Sequence, residues 1–260
     1  MNFFAWIGRH CIDLVLYIID LACFLTQTVS IWQPHRNVFN RAVYLVVLDQ
    51  IILIGINAIA IISLLALFVG IGVTSQLIYI MQSITGNNNL LEILARLVLS
   101  ELGPLTTGFI LVGRSCSAIV VDLGNTRMGG EVEPLEYMGI DVDDYFVVPR
   151  ILSLIISQVA LAFYFTFVMI LTGVFFSAFI YDFSAQKSLT ELLGMISFNG
   201  VLRFTLKNIY FGLITGTIAC FHGLLVNKSS SLVSEQMQKA VVRCLVFLFI
   251  ADGYFIIFTL

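Results

Sequence analysis

Charged side chains are scarce in this chain, at 11% of its 260 residues. A soluble domain carries roughly 25% and uses them to cover its surface. A water-exposed exterior is therefore excluded, as is a basic face for nucleic acid. The five cysteines (Cys11, Cys23, Cys116, Cys220 and Cys244) are odd in number, scattered, and include no C-x-x-C pair. They read as small apolar helix residues rather than a disulfide framework or a metal site. No Gly-Lys dipeptide occurs, which excludes a Walker A loop, and no H-E-x-x-H is present. His10, His35 and His222 are isolated and read as structural or interfacial. Gly113-Arg114-Ser115-Cys116-Ser117 begins like a nucleophile elbow but ends in Ser within an apolar helical context. Catalysis within the chain is not expected, no cofactor is assigned to it, and energy must come from a partner or an ion gradient.

What is abundant is apolar sequence. Hydrophobic residues are 59% of the chain and the mean hydropathy is +1.01. They fall in runs of roughly 20 or more, the length that crosses a hydrocarbon core as a helix. Spanning segments are expected at 42–80, 91–121, 146–181, 200–226 and 238–259, joined by linkers 82–89, 122–145, 182–199 and 227–237. Several exceed what is needed to span, so tilt, a break or extension beyond the bilayer is expected. Ahead of them, residues 1–31 form an apolar helix in which Asp13, Asp20 and Gln27 recur every seven residues, with Trp6 and Trp32 near its ends. This places the polar residues on one stripe, the pattern of a helix lying in the interface, although periodicity alone also permits a span. It does not resemble a cleaved signal peptide, because its apolar stretch holds two aspartates and no small-residue cleavage site follows. Gln33-Pro34-His35-Arg36-Asn37 breaks the chain. Two units result, residues 1–40 and a membrane domain of residues 41–260.

Lys and Arg set the orientation. With the N-terminus inside, Arg9, Arg36, Arg41, Arg114, Arg127, Arg150, Lys228, Lys239 and Arg243 fall on or near the cytoplasmic side, and the outer loops hold only Lys187. This bias predicts an inner-membrane protein with a cytoplasmic N-terminus and five spans.

Charges inside spans are costly, roughly 3 kcal/mol at mid-bilayer on insertion scales, and mark partners or wet cavities. Glu101 and Lys207 lie at matching depth, roughly 12–15 Å below the outer ends of their segments at about 1.5 Å per residue. They are expected to pair, either as a lock between helices or as part of a transport path. Asp49 and Asp252 are also intramembrane, without an assignable partner. Glu92 and Arg96 read as an interfacial i,i+4 pair. Gly103-Pro104 directly after Glu101 predicts a kink. Gly212 and Gly216 form a G-x-x-x-G that serves either packing within the chain or dimerisation. Within 122–145, Pro134 is placed to start a short helix whose Leu135, Met138 and Ile140 face one way beside Glu133, Glu136 and Asp141. That helix reads either as a docking site for a soluble partner or as a plain connector.

The stretch 100–150 carries a resemblance. Glu101-Leu102-Gly103-Pro104, Gly113-Arg114-Ser115-Cys116-Ser117-Ala118, Asp122-Leu123-Gly124, Pro134-Leu135-Glu136-Tyr137-Met138-Gly139-Ile140-Asp141 and Val147-Val148-Pro149-Arg150 follow in order. This resembles the MlaE/YrbE permeases of MCE-associated ABC lipid transporters, whose pattern is roughly E-L-G-P, A-G-R-x-G-S-A, E-L-G, a T-E-Q-led M-G-I-D-P helix and V-x-P-R. Gln50, Gly55, Phe68, Gly70 and Gln76 fit the family's first span, and Lys207 and Asp252 fit charged positions in later ones. The chain departs at Ser100, Gly129-Gly130-Glu131, Val142 and Asn227-Lys228-Ser229-Ser230-Ser231, which marks a divergent member.

The resemblance implies an all-α polytopic permease: an N-terminal interfacial helix, five transmembrane helices, and a cytoplasmic coupling helix between the second and third spans. It implies a homodimer with a cytoplasmic ABC ATPase that binds ATP and Mg, and a periplasmic ring of MCE-domain protein; a small STAS-like accessory subunit is compatible with it. Phospholipid or a related lipid would pass a cavity near Glu101, Lys207, Pro104, Phe68 and Gln76. Coupling to the ATPase would run through Leu135, Glu136, Tyr137, Met138, Gly139, Ile140, Asp141 and Arg114. The rival readings are an ion- or proton-gradient-driven transporter and a non-transporting membrane scaffold.

Overall fold

The computed structural model describes residues 3–31, 41–84, 98–139, 143–181, 197–226 and 230–259. Every element among them is helical, as expected for a chain whose backbone must satisfy its own hydrogen bonds in lipid. Five helices are long and apolar enough to cross a membrane, with spanning candidates at Tyr44–Val73, Ser100–Met128, Tyr145–Phe176, Phe198–Leu224 and Leu232–Ile257. The N-terminal helix, Phe3–Ile31, contains a shorter apolar run, Val15–Thr28. The Glu92–Arg96 pair, the start of the expected second span and most of the expected linkers 82–89 and 182–199 fall in residues 85–97 and 182–196, outside the described residues.

Three spans are interrupted. The first runs Arg41–Ile54, passes a 3-10 turn at Ile56–Ala58, and resumes as Ile59–Ile84. Gly55 sits at the break, where a Cβ would lie 2.7 Å from the Ile51 carbonyl oxygen. In the second span the irregularity at Gly103-Pro104 takes the form of a π turn, Val98–Leu102, ahead of the helix Gly103–Leu111. Proline forces such widening because its ring crowds the carbonyl four residues earlier and offers it no N–H. A second π turn, Val112–Cys116, precedes the helix Ser117–Met128. The third span opens with a π turn at Asp143–Val147 and continues as Val148–Tyr181.

Two expected linkers are partly helical. Residues 122–128 continue the second span, and the fifth helix already begins at Ser230. Hydropathy locates the portion of a helix that sits in lipid. It does not register polar turns that carry the same helix on into water or headgroups.

The third span is the hub, packed against the first, second and fourth, while the fifth packs on the fourth and on Ser117–Met128. Close approach of the third and fourth depends on Gly212 and Gly216, where an added Cβ would lie 2.7 Å from the Ile155 Cα and 3.1 Å from the Ile151 Cα. The G-x-x-x-G thus serves packing within the chain. Gly212→Val should destabilise by about 2–3 kcal/mol through overpacking, read as a lower thermal midpoint in detergent. Gly253→Ala, where nothing lies within 4 Å, should leave the midpoint unchanged. Equal midpoints for the two variants would refute the contact.

The N-terminal helix docks on the fourth span through Tyr17 and Phe24, whose rings lie 5.8 Å and 5.6 Å from that of Phe221. The Arg243 guanidinium sits 3.8 Å over the Tyr17 ring. His222 is fully buried. Its Nε2 receives the Arg243 Nη1 donor at 3.1 Å and faces the Tyr17 hydroxyl at 3.3 Å, while Nδ1 lies 2.8 Å from Gln236 Oε1. This pattern requires the proton on Nδ1, so His222 is a structural residue. Burial pushes the Tyr17 hydroxyl up to about 12 against the opposing pull of Arg243, leaving it a neutral donor. Cys116, Cys220 and Cys244 are buried free thiols, and Cys116 Sγ lies 3.6 Å from Cys244 Sγ.

Candidate transport site: a charged cluster and an exposed short helix

The second, fourth and fifth helices bring three charges together. Lys207, only 4% exposed, places its Nζ 3.0 Å from Glu101 Oε2 and 2.5 Å from Asp252 Oδ1. The Asp252 approach is a charge contact without good hydrogen-bond direction. The third partner is the Ser100 carbonyl, which accepts from Nζ at 2.6 Å. Its presence follows from the sequence: Pro104 has no N–H to offer the carbonyl four residues before it. The lysine supplies a donor where proline withdrew one.

Beside this cluster, Gln158 on the third span donates to Asn208 Oδ1 at 3.0 Å, to Thr107 Oγ1 at 3.2 Å and to the Pro104 carbonyl at 3.4 Å. Asn208 donates to the Phe204 carbonyl at 2.8 Å, and Thr107 to the Gly103 carbonyl at 2.6 Å. Gln158, Asn208 and Thr107 are all buried. Four spans are thus joined by polar contacts at one level, with Glu101 the most open charged member at 30% side-chain exposure.

The expected Glu101–Lys207 pair is present, and Asp252 is the member that sequence reasoning leaves without a partner. A signal for it exists. Asp252 lies about 11 Å before the end of its helix at Thr259, and Lys207 about 14 Å after the start of its helix at Phe198. Gln158, Asn208 and Thr107 give no sign, because uncharged polar residues are common on helix faces. Pro104 is buried within the cluster. Phe68 and Gln76 are exposed on the first span, apart from the cluster's ion pairs. Asp49 is also exposed there.

At the opposite end of the bundle the short helix is Val132–Tyr137. It is set between Gly130 and Gly139, both at positive φ (71° and 74°), a conformation costly for residues with a Cβ. Val132 is buried and Leu135 half-buried, whereas Tyr137 and Met138 are 90% and 65% exposed. The Glu136 side chain, Ile140 and Asp141 lie outside the described set. The spans on this side are tied to one another by Arg150 Nη2 on Asp122 Oδ2 at 2.6 Å and by Arg127, which donates to the Leu224 carbonyl. Arg114 is not part of this surface. It stands about 21 Å of helix before Met128, where Nη1 and Nη2 donate to the Ile54 and Leu53 carbonyls at 3.3 and 3.4 Å. Among the described residues no cluster of three or more His, Cys, Asp or Glu is placed to hold a metal.

Five apolar helices with a charged cluster clasped inside them define an all-α, multi-pass membrane protein. The chain belongs to the Permease MlaE family, whose model matches residues 47–258. It is similar to a probable ABC transporter permease protein of Synechocystis sp., at 26% identity over 95% of this chain and 92% of that one. A probable ABC transporter permease protein of Rickettsia prowazekii is 22% identical over 95% and 93% of the two chains. The intermembrane phospholipid transport system permease protein MlaE of Haemophilus influenzae is 23% identical over 94% and 92%. The protein is thus a transmembrane ABC-transporter permease.

Proposed function

We propose that this permease moves phospholipid or a related lipid between the bacterial inner membrane and a periplasmic MCE-domain carrier. A separate cytoplasmic ATPase drives it, and two copies of the chain form the lipid path. The reading is carried by the cluster of Glu101, Lys207 and Asp252. It puts a charged, partly open locus inside an apolar bundle, next to a proline-distorted helix, where an amphiphile's polar end can be met. Family membership and the phospholipid-transport name of the Haemophilus influenzae relative support the choice of substrate. In this arrangement the N-terminus and the Val132–Tyr137 helix face the cytoplasm, the N-terminal helix lies in the interface, and the Tyr137–Met138 tip meets the ATPase.

The test is transfer of a fluorescent phospholipid from proteoliposomes holding the permease, its ATPase and the MCE protein. Transfer should require ATP. Transport that instead follows an imposed proton gradient without ATP would favour an ion-coupled carrier and defeat the proposal.

A further inference from the structure

Arg114 lies apart from the charged cluster and crosses from the second span to the first where the first span breaks. The segment Arg41–Ile54 ends there. The Gly55 N–H still reaches the Ile51 carbonyl at 2.7 Å, but the Ala58 N–H turns to the Gly55 carbonyl at 3.0 Å and the Ile59 N–H to that of Ile56. An unbroken helix would give the Ala58 N–H to the Ile54 carbonyl. That carbonyl is left over, as the last carbonyls of a helix are, and lipid offers it no water. Arg114 takes it. Its Nη1 donates to the Ile54 carbonyl at 3.3 Å and its Nη2 to that of Leu53 at 3.4 Å. The guanidinium also sets a positive charge against the negative end of the helix dipole. A segment that ends inside a span is thus capped from the neighbouring span.

The two ends of this cap are held unequally. Its root is fixed, because Val112, Ser115 and Cys116 of the π turn are buried and Cys116 Sγ lies 3.6 Å from Cys244 Sγ on the fifth helix. Its far end is not. Among the described residues the first span packs along the third and makes little contact with the second. A cavity of about 300 Å³, with Leu53, Ile54 and Arg114 in its wall, lies between them. Both bonds are also longer than the usual N–H···O range. On the third span, the buried Ser157 hydroxyl has no hydrogen-bond partner and lies 3.4 Å from where a Gly55 Cβ would stand. We propose that Arg114 is a positioning residue of the transport cycle: a removable cap that fixes Arg41–Ile54 to the second span at rest and hands the freed carbonyls to Ser157 when the spans part. While the cap is made, the segment follows the π turn. Once it is broken, the segment swings about the 3-10 turn Ile56–Ala58, where regular helical bonding is already interrupted and no helix need unwind. The proposal rests on the permease reading for its consequence in transport, not for the contact itself.

The test measures the separation of the two spans in the full chain in nanodiscs, with spin labels at Leu45→Cys and Asn125→Cys. Both positions are exposed, about 14 and about 16 Å from Ile54 and Arg114 on the short-helix side. Cys11→Ser and Cys23→Ser leave only the buried thiols of Cys116, Cys220 and Cys244, and labelled chain is diluted with unlabelled. Without nucleotide, Arg114→Met should lengthen and broaden the distance. In proteoliposomes with the ATPase and the MCE protein it should lower lipid transferred per ATP hydrolysed about tenfold, the weight of a lost charge-assisted hydrogen bond, while hydrolysis continues. Arg114→Lys keeps the charge and a donor and should fall between. Ser157→Ala should keep the resting distance and shrink the change in distance that ATP and the ATPase bring. A merely structural contact would lower the thermal midpoint and leave transfer per ATP of the folded protein unchanged. A wild-type resting distance or wild-type transfer per ATP in Arg114→Met overturns the proposal, as does a wild-type response to ATP in Ser157→Ala. Where Arg114→Met does not fold, a wild-type distance in Arg114→Lys overturns it. The resting distance needs neither ATPase nor transfer. A lengthened distance in Arg114→Met, beside wild-type protein that moves no lipid with ATP, therefore rejects only the permease reading. An unchanged distance beside normal wild-type transfer rejects only the cap.

Discussion

Lys207→Met should remove most of the folded protein. Lys207 is buried between Glu101 and Asp252, and its loss leaves two carboxylates facing each other beside the Ser100 carbonyl without a cation. Removing one member of a buried ion cluster costs about 3–5 kcal/mol, because the remaining charge must stay unpaired, hydrate or neutralise. At about 1.4 kcal/mol per tenfold, that shifts the folding equilibrium by roughly two to three and a half orders of magnitude. Adding Glu101→Gln repairs only part of the damage, since Asp252 remains. The triple variant with Asp252→Asn should recover folded yield. Yield and ATP-dependent lipid transfer then separate the two roles of the cluster. A purely structural lock predicts that the triple variant regains both. A transport role predicts folded protein with little transfer, and full transfer by the triple variant would refute it.

The second large effect is expected at the tip of the short helix. Tyr137→Asp combined with Met138→Asp should lower ATPase association at least tenfold while leaving the spans intact. Exposed aromatic and sulfur side chains on a rigid turn make good anchors for a partner, and Tyr137 is 90% exposed. Substitution at such exposed positions changes stability by only about 0.5 kcal/mol, so lost association cannot be ascribed to unfolding. Co-purification of the ATPase measures the effect. Recovery at the wild-type ratio would mean that the helix is a connector and that docking occurs elsewhere.

Much of the bundle is legible in the order of its residues. The five spans follow from runs of apolar residues, because lipid demands both length and internally bonded backbone. The irregularity at Gly103-Pro104 follows from proline chemistry, and the Glu101–Lys207 pair from matched depth and opposite charge. Pro134 signals the short helix between the second and third spans, although that helix begins at Val132 and ends at Tyr137. Helix ends are less legible. Asn125, Arg127 and Ser234 sit in helical turns that hydropathy assigns to linkers.

Composition and position along the chain are enough to establish an all-helical protein that crosses a membrane, carries buried charge, and resembles a lipid-transport permease. Both are one-dimensional properties. Which helix faces meet is settled only by packing in three dimensions. It is there that Asp252 completes the lysine's set of partners, that Gln158 ties Thr107 to Asn208, and that Gly212 approaches Ile155 within the chain. Packing also makes Arg114 bridge a broken span, on the Ile54 and Leu53 carbonyls. Depth in the bilayer can be counted from residues. The rotation of each helix about its own axis is set by contact with several neighbours at once, and no single segment contains that information.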